Sequence, residues 1–187
     1  MQYPAAKGDT GVTFMGGSFA GPSVVPGSYN VKLFVGDSLV QAQPITIVND
    51  PRYSFTTAYL TEQFNLAMQV HNKLNETGKA TKQISYIRNQ LNKFIADTED
   101  SVEVRTVRKM ATPIIDSLTK IEETLFNPKI RANEDNLRFP IRLEEKLGCL
   151  NTAILSTDGK PTASMHASYQ SLKGRIDPQL QQLKTLI

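Results

Sequence analysis

The chain has 187 residues, 21 basic against 18 acidic, a formal net charge of +3, one cysteine and no tryptophan. That length holds one good core or two small units. The charges are interleaved without a basic run, which argues against nucleic-acid binding, and no apolar stretch approaches the ~20 residues that span a bilayer.

In chain order, residues 1–7 lack the apolar region of a signal peptide. Residues 1–26 are rich in Gly and Pro and read as turns and loops, with a short strand expected over 12–15. Residues 27–52 are the pivot. Tyr29, Val31, Leu33 and Val35 alternate with polar or turned-away neighbours, the period of a half-buried strand. Gly36-Asp37 is a turn, because Gly supplies φ > 0 at no steric cost. A returning strand covers 39–48, and Pro44 makes it an edge strand or breaks it, since proline cannot donate to a ladder. Asp50-Pro51 closes it by holding Asp50 extended. About three strands result, far fewer than the seven or so of a free-standing sandwich. Residues 1–52 are therefore expected to form a partial Ig-like sheet or a β-hairpin beside helices.

From residue 53 onward the period becomes helical. Leu60, Phe64, Ala67, His71 and Leu74 make a first stripe. It is expected to stop at residues 75–78, with Gly78 in the left-handed position after a helix. Ala80, Ile84, Ile87, Leu91 and Phe94 make a second stripe. Val107, Ala111, Ile114, Leu118, Ile121 and Leu125 make a third. It stays in phase across Pro113, which predicts one kinked helix with Ile114 and Leu118 fully buried. After a polar connection over 127–138, Leu143, Leu147, Leu150 and Ile154 make a fourth stripe, with Pro140 in its first turn. Thr162 caps the last helix, whose stripe is Met165, Tyr169, Leu172, Ile176, Leu180 and Leu183, and Gly174 and Pro178 predict a bend there. The fold class is mainly α: an antiparallel bundle of four to five helices over 53–187.

No catalytic, cofactor-binding or metal-binding residue is expected, and no cofactor. A lone Cys149 can form neither an internal disulfide nor a cysteine-based zinc site. Its apolar neighbours favour a small core residue, whereas a reactive thiol needs an electropositive, exposed setting. Gly16-Gly17-Ser18-Phe19-Ala20 loosely resembles a nucleophile elbow, but Gly21-Pro22 cannot start the helix that motif requires, so a plain turn is the reading. The di-iron Glu-x-x-His pattern is absent, since Met68 and Ala163 precede His71 and His166 by three. His71 and Met165 lie on helical stripes, yet spacing alone does not support axial ligation of a haem. Paired acids at Glu122-Glu123, Glu144-Glu145 and Asp97-Glu99-Asp100 read as solvated helix faces. Arg52 has a planar fork of donors. It is either solvated or ties the sheet to the bundle.

Three stretches together resemble a known family: P-G-S-Y-N-V-K-L-F-V-G from Pro26, V-N-D-P-R ending at Arg52, and P-T-A-S…Y-Q-S-L-K-G-R-I-D-P-Q-L-Q-Q-L from Pro161. They look like the C-terminal region of secreted bacterial proteins built on a sortilin-like, Asp-box β-propeller and often labelled glycosyl hydrolases. The resemblance runs from Pro26 to the C-terminus. It implies a secreted, periplasmic or cell-surface location and upstream domains of the same chain as partners. A further protein or glycan partner stays open. The propeller is not in this chain, and no Asp-box appears. The resemblance therefore implies a non-catalytic accessory module. A helical oligomerisation or adhesion domain and a glycan-acting enzyme are the alternatives.

Overall fold

The computed structural model describes residues 1–8, 17–52, 54–97 and 102–187, with the backbone alone over 102–104. The expected strand at 12–15 lies outside the described residues. Two strands, β1 (Gly27–Val35) and β2 (Ser38–Ile47), precede four helices: α1 (Thr57–Asp97), α2 (Val102–Leu125), α3 (Leu143–Leu155) and α4 (Ala163–Leu186). The protein is mainly α, four helices packed together behind a two-stranded antiparallel hairpin.

The hairpin follows the sequence. Gly36 has φ +57°, and among the described residues no non-Gly residue has positive φ. Positive φ at the first of two central turn residues is the type II′ pattern, which matches strand twist. The register pairs Gly27 with Ile47, Tyr29 with Ile45, Asn30 with Pro44 and Val35 with Ser38, with an irregularity between Leu33 and Phe34. Half-burial is where the expectation fails. Tyr29, Ile45 and Ile47 are half-buried, but Val31, Leu33 and Val35 are exposed. Neither strand packs along a helix.

Helix α1 corrects the sequence reading most. The expected stop at 75–78 does not occur, and the first two stripes form one 41-residue helix. Ala67, Val70, Leu74, Thr77, Thr81 and Ile84 keep one buried face in phase through Gly78. Thr77 Oγ1 donates to Lys73 O and Thr81 Oγ1 to Thr77 O, so both hydroxyls are satisfied inside the helix and can be buried. Gly78 is not a helix end. It is where the carbonyl of Lys7 crosses α1.

Helix α2 runs unbroken through Pro113. Leu118, Ile121 and Leu125 are buried, but Ile114 is only half-buried, a second correction. Pro140 precedes α3 and does not sit in its first turn, and its carbonyl accepts from Asn127 Nδ2 at 2.9 Å. Thr162 caps α4 as expected, accepting from the Met165 N–H. The core joins Leu74, Ile84, Leu118, Leu147, Ile154 and Ile176, and Ala6 of the N-terminal segment belongs to it. Asn151, fully buried on α3, donates to the carbonyls of Ser18 and Ala20 at 2.9 Å each and so pins that segment to the bundle. Among the described residues no helix is long and apolar enough to cross a membrane.

Helices α1 and α4 run the same way, Gln69 meeting Tyr169 and Lys73 meeting Asp177. Lys73 Nζ bridges Glu76 at 2.5 Å and Asp177 at 2.7 Å, and Lys173 joins Asp177 at 2.6 Å. Burial pulls the Lys73 ammonium down, but its bonds to Asp177 and Glu76 outweigh that and leave it above 10.5. Burial pushes the Asp177 carboxyl up, but the bonds from Lys173 and Lys73 outweigh that and leave it below 3.8. A lowered carboxylate stabilises above its unfolded value and loses that contribution as pH falls through its folded value. A raised ammonium loses its contribution as pH rises through its folded value. The network therefore holds α1 to α4 from roughly pH 4 to 10. Asp177→Asn should melt below the parent at neutral pH, and thermal melts should show the gap closing as pH falls through the lowered Asp177 carboxyl. Solvent at this site keeps the gap small.

Candidate functional site

The hairpin and the cleft at its root form the candidate site. The cleft, about 240 Å³, lies between the chain entering β1, the chain leaving β2 and the start of α1. Val25, Ile47, Phe55, Leu60 and Phe64 supply apolar walls. Gln63, Asn49 and Asp50 of the lining are engaged by the chain itself. Gln63 Nε2 donates to Ile154 O at 2.6 Å and also to Thr157 O. Asn49 Nδ2 donates to Phe55 O at 3.1 Å. Asp50 receives the Arg52 guanidinium through Nε at 3.0 Å and Nη2 at 2.5 Å, with the Arg52 N–H at 2.9 Å. That side-chain bond holds the Asp50 carboxyl below its usual value.

The Arg52 side chain is 80% exposed and its fork lies on a residue two positions away, so the pair closes the junction locally. Pro51 explains the geometry, because it keeps Asp50 extended and turns the carboxylate back towards the Arg52 N–H.

Beyond the cleft the hairpin carries an apolar face outward. Residues two apart share a face, so Tyr29, Val31, Leu33 and Val35 lie together, with Ile45 and Ile47 beside them on β2 at the root and Gln43 and Gln41 opposite Val31 and Leu33. At the tip Phe34 and Leu39 are paired on the other face. Both are more than half exposed, as are Leu33, Val35 and Val40. Lys32 is the only charged residue on either strand.

The residues singled out for chemistry are scattered. Ser18 sits in a turn, its Oγ accepting from the Ala20 N–H at 3.1 Å and its own N–H donating to Gly148 O at 3.2 Å. His71 Nε2 is 3.0 Å from Pro4 O, whereas His166 Nε2 is 3.3 Å from Glu62 Oε1 on α1. Met165 packs against the core. Cys149 is half-buried, and burial, then the nearby Glu145 carboxylate, pushes its thiol up. Such a thiol stays protonated at neutral pH, the opposite of an activated nucleophile.

Three of the paired acids depart from expectation, while Glu123 and Asp97 are exposed as expected and Glu99 and Asp100 lie outside the described residues. Glu122, Glu144 and Glu145 are buried and are not solvated faces. Glu122 takes both arms of the Arg88 guanidinium across α1 and α2. Glu145 occupies the third position of α3 and accepts the Arg142 N–H at 2.7 Å and the Asn127 N–H at 3.2 Å, so one carboxylate clamps both ends of the α2–α3 connection. Burial raises the Glu145 carboxyl above 4.5 against the opposing pull of those N–H groups. Glu144 Oε1 lies beside Gly8 of the N-terminal segment. Among the described residues no three His, Cys, Asp or Glu side chains cluster closely enough to hold a metal ion.

Comparison of the chain with family models, with curated proteins and with solved structures finds no match.

Proposed function

We propose that this chain is a non-catalytic accessory and interaction module, carried at the C-terminal end of a larger secreted, periplasmic or cell-surface protein with an Asp-box propeller body. The observation that carries the reading is a contrast. The buried acids Glu122 and Glu145 are bound to structural partners, while an almost uncharged β-hairpin stands off the bundle with Val31, Leu33, Phe34, Val35, Leu39 and Val40 exposed. Exposed apolar surface of that kind marks interaction sites. The family resemblance supports the setting, with upstream domains of the same chain as neighbours.

A second reading, a helical oligomerisation or adhesion domain, is favoured by the far end of the α1–α2 pair. There Tyr86, Phe94 and Met110 are 63%, 52% and 67% exposed. A glycan-acting enzyme is the weakest reading, because hydrolysis needs two carboxyls facing each other across a substrate.

Purified protein should turn over no glycoside, ester or peptide in chromogenic and mass-spectrometric assays. Clear hydrolysis abolished by a single Asp or Glu substitution would overturn the accessory-module reading.

A further inference from the structure

We propose that the free edge of β1 pairs antiparallel with β1 of a second copy of this chain, making a four-stranded sheet across a two-fold axis. This deepens the interaction-module reading and names its partner.

The first step is which edge is open. Asn30 stands opposite Pro44. Proline has no N–H, so this pair is one of those that exchange no hydrogen bonds across the hairpin. The Pro44 ring therefore sits on the outer edge of β2 and blocks it. By the alternation of an antiparallel ladder, Asn30 turns its N–H and carbonyl outward on β1, and so do Ser28 and Lys32. No backbone bond among the described residues reaches these groups, and no element other than β2 packs on β1. One edge is closed and one is open.

The second step is what fits the open edge. Centring an antiparallel β1–β1′ pair on Val31 brings Asn30 opposite Lys32 of the other copy, both with outward backbone groups. On the apolar face Val31 then meets its own counterpart and Tyr29 meets Leu33. Apolar cross-strand pairs stabilise a sheet, and like charges directly opposite destabilise it. In this register Lys32, the only charge on either strand, faces Asn30 and not itself. The strand is thus self-complementary in charge and in shape class, the condition for an isologous dimer.

The third step is need. A lone two-stranded hairpin is marginal in water, and three or more strands with an apolar face are not.

The test is sedimentation equilibrium of the whole chain across the micromolar to sub-millimolar range. The parent should approach twice the monomer mass. Asn30→Pro removes an outward N–H and should give monomers, provided hairpin amide signals persist. If that variant unfolds the hairpin, Val31→Lys serves instead, since it sets two like charges face to face on an exposed position. Mixing Val31→Lys with Val31→Glu should restore the dimer. Pro44→Ala opens the second edge and should give assemblies larger than a dimer. A parent that stays monomeric, or a Val31→Lys chain that dimerises as well as the parent, overturns the proposal. Neither result touches the accessory-module reading, which stands or falls on the hydrolysis assays.

Discussion

Leu118→Ala should lower unfolding free energy by about 2–5 kcal/mol, the range for emptying a core position. Leu118 is 0% exposed and sits in the cluster that joins Ile84 of α1, Leu147 of α3 and Ile176 of α4. Truncation there removes contacts to neighbours on several helices. The collapse that would soften the loss requires those helices to move together, and close-packed interiors resist that. Ile114→Ala, one turn earlier, should cost less, because Ile114 is only half-buried. Met110→Ala serves as the control, since Met110 is 67% exposed and surface changes fall within about 0.5 kcal/mol. Urea unfolding read by circular dichroism separates the three. Equal midpoints for Leu118→Ala and Met110→Ala would mean that α2 presents a different face to the bundle.

The helical part was legible wherever apolar residues alone made the stripe. The stripes of α3 and α4 came through almost residue for residue, because every buried position except Asn151 and the acids is apolar. The turn at Gly36 and the place of Pro44 were legible because each rests on a backbone constraint that only Gly or Pro creates. What was missed has a common cause. Thr77 and Thr81 are buried by bonding to their own helix, and Glu145 by bonding to the backbone N–H of Arg142 at the start of its own helix and to that of Asn127 across the α2–α3 connection. Polar residues with such partners look solvent-facing when only residue type is read. The candidate site was half legible. Alternation in β1 shows that one face is apolar, but not whether a helix covers it, and here no helix does. Register added the rest, by placing Asn30 opposite Pro44 and so identifying which edge is open.

Gly78→Ala should destabilise the protein, although it replaces glycine by alanine in the middle of a helix. Helix propensity alone predicts the opposite sign, a gain of about 1 kcal/mol. Packing decides the matter. A Cβ at Gly78 would stand 2.2 Å from Lys7 O and 2.9 Å from Gly8 Cα, both backbone atoms that no rotamer change can move. The segment leading into the crossing is fixed. Lys7 N–H donates to Asn75 Oδ1 at 2.8 Å, His71 Nε2 lies 3.0 Å from Pro4 O, and Ala6 is buried in the core. Relieving the clash lifts residues 6–8 off α1, so the expected net loss is about 1–3 kcal/mol, as for other overpacked sites. The exchange pattern should be local. The N–H groups of Tyr3 and Ala6, bonded to Pro22 O at 2.9 Å and Phe19 O at 2.7 Å, should exchange faster. Those of α2 and α4 should not change. Gly174→Ala is the matched comparison, since a Cβ there meets nothing within 4 Å, and it should stabilise by about 0.5–1 kcal/mol. If the two alanine variants gain stability alike, the Lys7 carbonyl does not cross α1 at Gly78, and the continuity of α1 through that residue needs another cause.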